Sequence, residues 1–108
     1  VRDTLDVDVL IVGGGPAGLA AAYHLRQLNK DASIALLEKG KEVGAHILSG
    51  AVMDPRGISE LMPDWRERGA PVRPVDEDRV LYLTQRRSFT LPITPPPLRN
   101  HGNFILSL

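Results

Sequence analysis

Cysteine is absent from this 108-residue chain. No disulfide framework, thiolate metal site or thiol nucleophile can therefore be built from it. Net charge is absent as well, since thirteen Lys and Arg balance thirteen Asp and Glu. No long-range field draws the chain toward nucleic acid or an anionic surface, and no nucleic-acid partner is expected. No stretch approaches the roughly 20 apolar residues that cross a bilayer. The three histidines, His24, His46 and His101, are scattered. No Ser-His-Asp set, carboxylate pair or metal-ligand spacing accompanies them, so no catalytic side chain and no metal ligand is assigned.

What is present begins with 43% hydrophobic residues, enough for a small core. The chain opens on Val1 and closes on an apolar run over residues 104–108, like an element cut short, and a fragment is expected. Residues 7–12, VDVLIV, are β-branched or apolar except for Asp8. Such a run suits a strand buried on both faces of a parallel sheet. From Pro16 to about Leu28 the spacing becomes helical, with Leu19, Ala22 and Leu25 on one side and Pro16 in the first turn, where its missing N–H costs little. Asn29 can end the helix in the left-handed conformation. Residues 33–37 are a second short apolar run, which completes one βαβ unit.

Between strand and helix stands Gly13-Gly14-Gly15-Pro16-Ala17-Gly18, which fits G-x-G-x-x-G. Gly13 allows the tight turn off the strand, Gly15 lets the backbone approach a pyrophosphate, and Gly18 lets the helix lie close on the sheet. Ala22 continues that small face. The free N–H groups and positive dipole end of the helix suit two phosphates. Glu38, twenty residues after Gly18, stands where a carboxylate accepts from both hydroxyls of an adenosine ribose. A 2′-phosphate would meet like charge there, so NADP is disfavoured. A glycine-rich turn that merely packs a helix is the bland alternative. The strand before, the helix after, Ala22 and Glu38 together favour a dinucleotide.

This unit alone does not separate FAD from NAD, which share the ADP half. A long loop, KGKEVGAHILSG over residues 39–50, takes the place of the next crossover helix. Asp54 and Pro55 then offer a cap and first turn for a short helix to about Met62. Residues 80–84 and 88–91 read as a hairpin around Gln85-Arg86-Arg87, after which Pro92, Pro95, Pro96 and Pro97 forbid regular pairing. Ile58, Leu61, Met62 and Trp65 form an apolar stripe flanked by Arg56, Arg66 and Arg68. From the residues alone this stripe reads first as a helix packed on its own domain.

The loop pattern G-x-H-x-L-S-G, matched by Gly44, His46, Ser49 and Gly50, resembles the flavoprotein loop that returns to the FAD. With GAHILSGAVMDPR, PDWRERGAPV, the LYLT stretch over residues 77–84 and NHGNFILSL, the chain resembles the electron transfer flavoprotein-ubiquinone oxidoreductase family over nearly its whole length. The resemblance implies an α/β fold, a Rossmann-like FAD-binding βαβ unit of the glutathione-reductase type, followed by loop, short helix and hairpin. The whole of residues 1–108 is then the N-terminal part of an FAD/NAD(P)-binding domain, incomplete by itself. It further implies an enzyme that passes electrons from reduced electron transfer flavoprotein through FAD and a [4Fe-4S] cluster to ubiquinone, at the inner membrane of a mitochondrion or a bacterium. The cluster's cysteines lie outside this chain. Contact with a membrane surface over residues 53–65, from Met53 to Trp65, is likewise what the resemblance implies, and it would be by apolar insertion, because Glu60, Asp64 and Glu67 offset the arginines.

The expected cofactor-binding set is Gly13, Gly15, Pro16, Ala17, Gly18, Glu38, Lys39, Gly44, His46, Ser49 and Gly50. His46 enters as a binding residue and not as a base. His24 and Tyr23 read as packing or surface positions, and His101 as part of a turn. Gly14, where many relatives have alanine, and Asn29, where many flavoproteins have glycine, are mild departures. Two alternatives stay open: another FAD enzyme such as a geranylgeranyl-type reductase, and a non-catalytic NAD-binding module.

Overall fold

A computed structural model describes residues 3–107, and the chain divides into two units between Leu48 and Ser49. In the first, strand β1 (Val9–Val12), helix α1 (Pro16–Leu28) and strand β2 (Ile34–Leu37) follow one another. The strands pair in parallel from Val9 opposite Ile34 to Val12 opposite Leu37. Gly13 N–H extends the ladder by donating to the Leu37 carbonyl at 2.8 Å. Parallel neighbours require a crossover, which α1 supplies.

Gly18, Ala22 and Leu25, one and two turns apart, are half-buried. Leu19, expected on that side, is 42% exposed. It stands about 100° around the helix from Gly18, and Gly18 is the residue that meets the strand. β1 is not buried on both faces, because its residues alternate: Val9 and Ile11 are half-buried, whereas Leu10 and Val12 are exposed. α1 is the one helix among the described residues of this unit, and one helix covers one face of a sheet.

Asn29 does not turn left-handed. Its φ of −139° is extended, and its side-chain Oδ1 instead accepts from the N–H groups of Asp31 and Ala32 at 3.0 and 3.3 Å. An asparagine carboxamide can end a helix this way without the cost of a positive φ. The polar exception in the first strand also has a structural task. Asp8 Oδ2 accepts from both the N–H and the hydroxyl of Ser33 at 2.8 Å, which ties the two strands together at the end away from the glycines.

The second unit contains β3 (Ala51–Met53), α2 (Arg56–Leu61), β4 (Val72–Pro74), β5 (Leu81–Leu83), β6 (Ser88–Thr90) and β7 (Phe104–Leu106). β7 lies between β3 and β4, antiparallel to both. β5 and β6 form the expected hairpin, with Leu81 opposite Thr90 and Leu83 opposite Ser88. The Thr84 N–H donates to the Arg87 carbonyl to close its turn. The proline run makes one 3-10 turn, Pro96–Leu98. Asp78 accepts from the Asn100 N–H at 2.7 Å and from its carboxamide at 2.8 Å. His101 therefore stands in a turn held by this clamp, and its proximity helps keep the Asp78 carboxyl below its ordinary pKa after the Asn100 bonds.

Helix α2 starts one residue later than expected and ends, as expected, at about Met62. Pro55 occupies the cap position, while Asp54, one residue earlier, still accepts from the Arg56 N–H at 3.0 Å. Pro63 stops the helix, so Trp65 lies beyond it in a run of turns. The stripe expected to meet a membrane does not face outward at Trp65, which is 4% exposed and the main buried side chain of this unit. Its Nε1–H donates to Ser59 Oγ at 3.0 Å, and its ring meets Phe104 edge to face at 5.3 Å. The Arg66 guanidinium covers both rings, at 5.1 and 4.7 Å from their centroids. Burial of the largest apolar ring against β7, with its one donor satisfied, outweighs the stripe's local spacing.

Candidate functional site

Each glycine of the turn between β1 and α1 is required for a different reason. Gly13 has φ +105°, a conformation that side chains resist. At Gly18 a Cβ would stand 1.9 Å from the Gly13 carbonyl oxygen, so the turn packs flush on the helix. Gly15 is different. Its φ is −76°, and no described atom lies within 4 Å of where its Cβ would be. Neither backbone conformation nor internal packing accounts for glycine there, and the backbone at this position is open to close approach.

α1 begins with Gly15 as its cap, Pro16 in the first turn, no side-chain cap and no acidic residue. Most helices cover their first N–H groups with a Ser, Thr, Asp or Asn side chain. A phosphate would take that place, accepting from backbone at Gly15, Ala17 and Gly18 with the helix dipole in its favour.

Glu38 closes the other side. Its Oε2 accepts from the Gly14 N–H at 2.8 Å and its Oε1 from the Gly40 N–H at 2.7 Å. These bonds, Gly40's first and Gly14's second, hold its carboxyl below the ordinary value of 4.5; nearby His46 and the Lys39 N–H act in the same direction. Glu38 is ionised at neutral pH, and each oxygen keeps a lone pair with which it can accept from a sugar hydroxyl. The same charge opposes a phosphorylated ribose.

The structure thus gathers Gly13, Gly15, Pro16, Ala17, Gly18, Glu38, Lys39, Gly44 and His46 within the first unit. Gly44, at φ +90°, turns the loop so that the Ile47 N–H donates to its carbonyl at 3.0 Å. His46 lies over Gly40, where an added Cβ would stand 3.2 Å from its Nδ1. Ser49 and Gly50 fall in the second unit. There the Ser49 hydroxyl is 3.4 Å from that of Ser107, and Gly50 enters β3 at φ +89°. Two residues escaped the sequence reading: Gly14 and Gly40, whose N–H groups hold Glu38. A glycine two positions after an acidic residue is the available signal for Gly40; Gly14 had none, because its partner is 24 residues away.

Residues 11–66, just over half of the chain, match the family model described as the NAD(P)-binding Rossmann-like domain. The chain is also 52% identical, over 99% of its length, to the mitochondrial electron transfer flavoprotein-ubiquinone oxidoreductase of Dictyostelium discoideum, of which it covers 18%. The proteins of the same name from Bos taurus and Arabidopsis thaliana are 51% and 48% identical over 95% and 100% of this chain, and 18% and 17% of their lengths are covered. The chain spans less than one fifth of the curated relatives it matches.

Proposed function

This chain belongs to the NAD(P)-binding Rossmann-like domain family, and from that premise we propose that it holds the ADP half of FAD in an electron transfer flavoprotein-ubiquinone oxidoreductase. The observation that carries the reading is Gly15, a glycine that neither backbone conformation nor internal packing accounts for, at the start of a helix with no side-chain cap. The backbone at Gly15, Ala17 and Gly18 would receive the pyrophosphate, and Glu38 the ribose hydroxyls. FAD is favoured over NAD because a turn-rich loop, and no second crossover helix, follows β2 in the first unit. Lys39, Gly44, His46, Ser49 and Gly50 are assigned to that loop's return toward the cofactor. Residues 1–108 are read as the N-terminal part of an FAD-binding domain.

When bound, FAD would supply reversible acceptance and release of electrons. The protein's own part is to bind and orient it and to keep Glu38 ionised beside the adenosine. Reduced electron transfer flavoprotein is the proposed donor and ubiquinone the acceptor. The [4Fe-4S] cluster of this reading takes its ligands from outside this chain, which has no cysteine.

Association with an inner-membrane surface, mitochondrial or bacterial, belongs to the same proposal. No described helix is long and apolar enough to cross a membrane, so contact would be superficial. With Trp65 buried, the apolar contact is reassigned from residues 53–65 to the hairpin. Leu81, Tyr82, Leu83 and Phe89 are exposed there, beside Arg86 and Arg87.

The test is the full-length protein purified without added cofactor. It should carry flavin absorbance that bleaches on addition of reduced electron transfer flavoprotein and returns on addition of a ubiquinone analogue. Purification with tightly held NAD and no flavin would overturn the reading in favour of an NAD-binding module.

A further inference from the structure

We infer that Glu38 is a positioning residue for the phosphate-binding turn: it holds the Gly13–Gly14 peptide so that the N–H groups that follow face a phosphate, apart from any contact with ribose. The inference rests on the reading of the cradle as an ADP site.

Three consecutive glycines have more backbone freedom to lose than any other tripeptide, and no side chain of their own to restrain it. An ordered turn therefore requires ties from elsewhere. The Gly13–Gly14 peptide has two. Its carbonyl oxygen lies against Gly18, 1.9 Å from the position of an added Cβ. Its N–H donates to Glu38 Oε2 at 2.8 Å. In a trans peptide the C=O and N–H point in opposite directions, so contacts at both ends fix the rotation of the plane. The helix grips one edge and the carboxylate grips the other.

The carboxylate is itself anchored, because its second oxygen accepts from Gly40 at 2.7 Å. Residue 14 is shaped to admit it. Gly14 is buried and is not among the glycines with positive φ. An added Cβ would lie 2.8 Å from Glu38 Oε2 and 3.3 Å from Val43 Cγ2. Glycine at this position leaves room for the carboxylate, and a methyl group would require the far end of the Glu38 side chain to shift.

The experiment uses the full-length protein freed of flavin and measures calorimetric affinity for ADP and for 2′,3′-dideoxy-ADP, which lacks the hydroxyls that Glu38 would bind. A Glu38 that serves only the ribose leaves dideoxy-ADP affinity unchanged on substitution. The positioning role predicts a loss of roughly tenfold for Glu38→Ala on dideoxy-ADP, as for a hydrogen bond to a charged group. Glu38→Gln should recover part of it, since the amide oxygen still accepts one N–H. Gly14→Ala, which requires only the far end of the Glu38 side chain to shift, should lose less than Glu38→Ala, and the double variant Gly14→Ala with Glu38→Ala should be no weaker than Glu38→Ala alone. Unchanged dideoxy-ADP affinity, or additive losses in the double variant, overturns the inference while leaving the cradle standing. If Glu38→Ala does not fold, dideoxy-ADP binding by Glu38→Gln decides by the same criterion. Failure of the unsubstituted protein to bind ADP overturns the cradle reading and the inference with it.

Discussion

The Gly14 N–H and Glu38 Oε2 lie 2.8 Å apart and 24 positions apart in the chain, joining the turn after β1 to the residue after β2. Together with the Gly40 N–H, this bond depresses the Glu38 pKa below 4.5. A depressed carboxyl contributes stability that is present in full above its unfolded value and is lost as pH falls through its folded value. The melting-temperature difference between the full-length protein and Glu38→Gln is therefore expected to be constant from neutrality down toward 4.5 and to shrink only below it. A difference that already collapses between pH 5 and 7 would contradict the assignment.

Gly15→Ala and Gly18→Ala should separate affinity from stability. At Gly15 a methyl group meets no described protein atom, so the melting temperature of the flavin-free protein should hardly move while flavin affinity is lost. At Gly18 a methyl group would collide with the Gly13 carbonyl, and displacing backbone costs about 1–3 kcal/mol or more. That variant should lose both flavin and thermal stability. Equal melting temperatures for the two variants would refute the distinction.

Trp65 is the one tryptophan of the chain, and its burial can be tested by truncation. Trp65→Ala should destabilise the protein by about 3–5 kcal/mol. Ser59→Ala, which strands the indole N–H, should cost about 1–3 kcal/mol. Chemical denaturation of the full-length variants checks both values. A near-neutral Trp65→Ala would mean that the ring is a surface feature after all.

For the hairpin, Tyr82→Asp with Leu83→Asp should lower co-sedimentation of the full-length protein with vesicles several-fold. Leu61→Asp, on the stripe first suspected of meeting lipid, should act through stability and not through vesicle affinity. Unaltered sedimentation of the hairpin variant would remove the membrane assignment from this segment.

Residues 1–108 expressed alone should not melt cooperatively. Ala32 and Trp65 are the buried apolar residues among those described. Dye binding to exposed apolar surface, with a broad thermal transition, is the expected result; a sharp calorimetric peak would refute it.

The sequence by itself determined whatever depends on neighbours a few residues away. Glycine spacing, Pro16, the β-branched run of β1 and the turn around Arg86 specify backbone conformation locally, so the βαβ unit, its glycine turn and the hairpin were legible. Only the tertiary structure decided what depends on partners distant in sequence. The three-residue strands β3, β4 and β7 are too short to show a period, and they exist because β7 pairs with both of the others. Trp65 has the helical spacing of a surface stripe, yet Pro63 ends the helix and Phe104, 39 positions later, draws the ring inward. The role of Gly14 likewise became visible only when Glu38 arrived beside it, because a hydrogen bond is set by distance in space and leaves no spacing in the chain.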